Sequence, residues 1–104
     1  MRKIYIWNRW NVAHIAKHGV EPEEAEEVID RATRPYPKRV GDRKYQVRGR
    51  TRQGRALQVI FIRLGDEEVD FELLDVVERA QFEAGNEVVY VIHANDFRFR
   101  RGRR

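Results

Sequence analysis

Cysteine is absent from all 104 residues, which excludes a disulfide scaffold and a thiolate metal site. That absence suits a reducing cytoplasm, the location we expect. No apolar run approaches the roughly 20 residues needed to span a bilayer, so no membrane partner is expected. The block Ile4 to Trp7 is too short for the core of a signal peptide. A Gly-rich phosphate loop and a Gly-x-Ser-x-Gly elbow are also missing, and no cofactor is implied. Of the three prolines, Pro35 and Pro37 stand together, where they stop a helix. What remains, with 41% hydrophobic residues, is one domain with a modest core.

Charge is present in both signs and strongly segregated. Residues 21–30 carry −6, and residues 31–55 carry +9, from ten Lys/Arg against Asp42 alone. Residues 66–87 then carry −8, and 98–104 carry +5. A clustered basic surface binds nucleic acid even when the mean charge is small, because neutralised phosphates release counterions. The alternative is that acidic and basic blocks face each other inside the domain.

The stretch Trp7 to Ile29 reads as two helices with a clear joint, over about 9–18 and 22–33. Asn8 or Asn11 can cap the first, and Val12, Ile15 and Ala16 make its apolar stripe. Gly19 is expected at positive φ to close it, followed by the apolar contact of Val20. Pro22, Glu23 and Glu24 start the second helix, with Ala25, Val28 and Ile29 as its buried face. Downstream, Tyr45, Val47 and Gly49 alternate with Lys44, Gln46, Arg48 and Arg50, a strand with one basic face. Residues 51–54 read as a hairpin turn, Ala56 to Leu64 as a central strand, and Val88 to Ala94 as a final strand. Between them, 66–73 reads as a strand or extended arm and 74–84 as a helix. Arg2 to Trp7 fits a short strand, and Asp96 fits the cap of a last helical turn. The class is α+β: residues 1–97 form helices packed on a twisted antiparallel sheet, and 98–104 a mobile basic tail.

Three motifs together resemble the BrnT family of RelE-like ribonuclease toxins. Trp7, Asn11, Lys17-His18-Gly19-Val20, Glu24 and Val28 match its N-terminal signature, with Asn8 where Asp is usual. Gly54-Arg55-Ala56-Leu57-Gln58-Val59 is similar to its Gly-Arg-x-Leu-x-Val strand. Val91-Ile92-His93-Ala94-Asn95 is similar to its Ile-Ile-Ser-Ala-Arg strand, except that Asn95 replaces the arginine. The resemblance implies a RelE/BrnT-like bacterial domain that binds RNA and cleaves it without a metal, and a cognate antitoxin of ribbon-helix-helix type. It also makes the acidic segment at 66–84 look like an insertion.

Metal-independent cleavage needs a base for the 2′-hydroxyl, cations around the phosphorane and an acid for the leaving oxygen. The resemblance points to Arg55, Arg43, His93 and Asn95 as the catalytic candidates. Arg43, Lys44, Arg48, Arg50, Arg52 and Arg55 are the RNA-binding candidates. His93 can shuttle a proton near neutral pH, or can be a buried, hydrogen-bonded histidine. A neutral amide at Asn95 cannot offset phosphorane charge as a guanidinium does. His14 and His18 have the i, i+4 spacing of zinc ligands, but no third ligand is linked to them by a motif, and no metal is implied. The reading of another class is a non-catalytic relative that binds nucleic acid or protein.

Overall fold

The structure, a computed structural model, describes residues 3–98. The expected tail from residue 99 onward lies outside them. In order, the elements are β1 (Ile4–Ile6), α1 (Arg9–Ala16), α2 (Pro22–Asp30), β2 (Lys38–Gly41), β3 (Lys44–Arg50) and β4 (Ala56–Leu64). Two 3-10 turns (Asp66–Glu68 and Phe71–Leu73), α3 (Val76–Glu83) and β5 (Val88–Asp96) follow. One five-stranded sheet runs in the order β1-β5-β4-β3-β2.

The sheet is mixed rather than purely antiparallel, because β1 pairs with β5 in parallel. Hairpin and return connections force β2, β3, β4 and β5 to alternate in direction. No hairpin constrains β1, which reaches β5 only through the helices and the whole meander. The edge strand β2 was not expected at all. Its Lys38-Arg39-Val40 stretch is exposed throughout and lacks an apolar alternation.

The helix joint forms as its residues dictate. Asn8 caps α1 and accepts from the Asn11 amide. Gly19 sits at φ +69°, its N–H bonds the Ala16 carbonyl, and the Val20 N–H bonds the Ile15 carbonyl. Helix α1 ends at Ala16 and α2 at Asp30, ahead of the expected limits. The stripe of α1 also differs: Asn11 and Ile15 are fully buried, while Val12 and Ala16 are exposed. Asn11 takes the inward position because its side chain satisfies three backbone groups. Its amide donates to the carbonyls of Ile6 (3.0 Å) and Val91 (3.1 Å), and its oxygen accepts from the Asn8 N–H (2.8 Å).

Both N-terminal helices pack on one face of the sheet. Ile15, Val20, Ala25, Val28 and Ile29 meet Val47, Leu57, Val59, Phe61, Val89, Val91 and Ala94 there. The second face is different. The acidic segment covers only one end of it, where Leu74, Val69 and Phe82 pack with Ile4, Leu64 and Val88. The expected extended arm at 66–73 is two tight turns instead. Asp70 accepts the Glu72 amide and the Glu68 N–H returns to Gly65, local bonds that win over β pairing. Beyond that end no helix of the described residues lies on the second face.

Candidate nucleic-acid interface

Strand pairing arranges the second face into rows. Lys38, Gln46, Ile60 and His93 stand side by side across β2, β3, β4 and β5. Arg48, Gln58 and Asn95 make the next row, and Lys44, Ile62 and Tyr90 the row on the other side. Arg48 donates to the Gln58 oxygen at 2.9 Å, and its guanidinium lies 4.3 Å from the centre of the Phe97 ring. Lys38, Lys44 and Arg48 form no ion pair among the described residues. Arg50 projects from the end of β3 on this face and donates to the Gly54 carbonyl.

The other basic candidates point elsewhere. Arg52 reaches Glu27 of α2 at 3.5 Å. Arg43, at φ +56° in the turn before β3, is tied to Glu68 of the acidic segment. Arg55 engages all five of its N–H donors: Asp96 through both oxygens, Glu24, and the Gly19 and His18 carbonyls. Asp96 therefore ends β5 as an ion-pair partner rather than capping a helical turn. Arg55 locks the β3–β4 loop to the helix joint. Arg43 and Arg55 lie at opposite ends of the β3–β4 hairpin, roughly 20 Å apart along the strands. The four catalytic candidates do not converge; His93 and Asn95 share the second face, and the two arginines flank it.

A cluster that sequence spacing did not reveal forms around His93. A register shift leaves Ile92 unpaired and sets His93 opposite Ile60. There its ring meets His18 at 5.2 Å and His14 at 5.8 Å, both edge-on. His14 in turn stacks on Trp10 at 5.0 Å, and Trp10 lies 6.5 Å from Tyr90. The i, i+4 spacing of His14 and His18 was the available signal; the missing fact was that α1 runs beside β5. Among the described residues no group of three or more His, Cys, Asp or Glu is arranged to hold a metal ion. Nor is any helix long and apolar enough to cross a membrane.

Partial burial pushes the His93 imidazole below its usual pKa, and the charges of His18 and His14 push the same way. The nearby Asn95 side chain opposes them. Asn95 Oδ1 is buried and makes no hydrogen bond of normal geometry. The neutral form of His93, the form that accepts a proton, is thereby favoured. The sign for stability follows. Above about pH 6.5 neither the folded nor the unfolded state protonates this group, so its stabilising contribution is intact. Below that, the unfolded chain binds the proton first and stability falls. The melting temperature of wild type should drop more steeply between pH 7 and 5.5 than that of His93→Gln. Identical slopes would show that His93 is not held neutral by its surroundings.

No family model, no curated protein and no solved structure matches this chain significantly.

Proposed function

We propose that this domain binds single-stranded RNA across the second face of its sheet, in the manner of BrnT/RelE-like toxins. One observation carries the reading: Lys38, Lys44 and Arg48 share a face with His93 and have no carboxylate partner among the described residues, whereas Arg43, Arg52 and Arg55 have one. Arg43, Arg52 and Arg55 are thus spent on the acidic segment, the acidic helix and Asp96, whereas Lys38, Lys44 and Arg48 remain to meet phosphates. A ribbon-helix-helix-type antitoxin would mask the same face with acidic or apolar groups.

In a cleavage reaction on this face, His93 takes the 2′-hydroxyl proton and the 2′-oxygen attacks phosphorus. The bond to the 5′-oxygen breaks, and His18, in its protonated form, supplies the proton to that oxygen. The products are a 2′,3′-cyclic phosphate and a 5′-hydroxyl. Two observations favour a second reading, a binding module without catalysis. Asn95 supplies an amide beside His93 instead of a guanidinium, and Arg55 has no free donor.

Binding is tested by fluorescence anisotropy on a labelled single-stranded RNA over a salt series. Replacing Lys38, Lys44 and Arg48 with alanine should lower the slope of log affinity against log salt, by up to about 0.7 per lost phosphate contact. Replacing Arg52 should leave it nearly unchanged. A slope unaffected by the triple change would move the interface off this face.

A further inference from the structure

Trp10 is 57% exposed, on the first turn of a helix whose buried positions are Asn11 and Ile15. A tryptophan this open is unusual, and nothing in the packing of α1 requires it. Its indole stacks on His14 with the planes only 7° apart, and Tyr90 lies near-parallel to it at 19°. His93 and His18 continue the line edge-on. A strip of π surfaces therefore runs along the α1 border of the second face.

The strip is not isolated from charge. Lys44 stands in the same row as Tyr90, two strands away, or about 10 Å. Lys38 stands in the row of His93, three strands away, or about 14 Å. Exposed aromatics beside a cationic groove are how proteins hold unpaired bases, since every base offers a π face. A polypeptide partner would use the rings equally well but would gain nothing from unpaired lysines two and three strands away, unless it were acidic.

We propose that Trp10, His14 and Tyr90 form a stacking subsite for one unpaired RNA base, with the imidazoles of His18 and His93 facing the adjoining ribose and phosphate. This rests on the RNA reading above and adds the place where a base, rather than the backbone, is held. Two ligands of equal length separate the two ideas: a labelled single-stranded oligoribonucleotide and an abasic oligomer. Trp10→Ala should weaken binding of the base-bearing strand roughly tenfold, the usual worth of one stacked base, and leave the abasic strand unchanged. The salt slope should stay as in wild type, and Trp10→Phe should retain most of the affinity. RNA should also quench wild-type tryptophan emission, and Trp10→Phe should remove that quenching; this holds the test open if the alanine variant misfolds. If wild type binds both strands and Trp10→Ala affects neither, or affects both equally, the subsite is wrong while the RNA reading stands. If wild type binds neither strand, both fall.

Discussion

Asn11→Leu should destabilise this domain by about 3–5 kcal/mol, although leucine is close to asparagine in size and the site is fully buried. The substitution orphans the carbonyls of Ile6 and Val91 and the amide of Asn8, at about 1–3 kcal/mol for each buried group left without water. These three groups belong to β1, β5 and the start of α1, so one side chain joins the first strand, the first helix and the last strand. Against a typical total of about 5–15 kcal/mol, the loss is a large share. Asn8→Ala, which removes the cap alone, should cost only about 1 kcal/mol. Urea unfolding reads both variants, and a cost below about 1 kcal/mol for Asn11→Leu would mean that the joint is held by packing alone.

The largest expected change in activity is a gain. Asn95→Arg should raise cleavage of a labelled single-stranded RNA by about two to three decades, the worth of roughly 2–4 kcal/mol of phosphorane stabilisation. Asn95 follows Ala94 on β5 and lies across from Gln58, within the row that holds Arg48, so a longer side chain there extends along the cationic face. Adding His93→Gln in the same background should remove the contribution of proton transfer, about two to four decades. The product should carry a 2′,3′-cyclic phosphate. Wild-type cleavage that survives His93→Gln would place the reaction elsewhere. Tight RNA binding with no cleavage by Asn95→Arg would favour the non-catalytic module.

Much of the fold is legible wherever the governing interaction is local. The closure at Gly19 and Val20, the restart at Pro22 and the buried Ala25, Val28 and Ile29 depend on residues a few positions apart, and all form as read. The apolar strand Ala56–Leu64 is central because both of its edges are paired. Asn11 was misplaced because a buried asparagine is decided by partners such as Val91, 80 residues away. Val69, Phe71 and Leu73 alternate like a strand, yet aspartates and glutamates close tight turns there first. For the candidate site, the basic alternation of β3 showed which side chains share a face. It could not show which arginines meet carboxylates, since Glu68, Glu24 and Asp96 come from other segments. The histidine cluster was hidden for the same reason: His14 and His18 meet His93 because the pairing of β1 with β5 and the bond from Asn11 to Val91 set α1 beside β5.

That pairing has a consequence for synthesis. Strand β5 lies between β4 and β1, so an interior position of the sheet is filled by the last of the described strands to be translated. Until residues 88–96 emerge, the apolar edge of β4 has no partner on that side, and Asn11 has no Val91 carbonyl to bond. The nascent chain must carry an incomplete sheet while residues 65–87 are translated, and the distant contacts of β1 with β5 close late and slowly. A chain stalled before Val88 would expose strand edges that seek partners in other molecules.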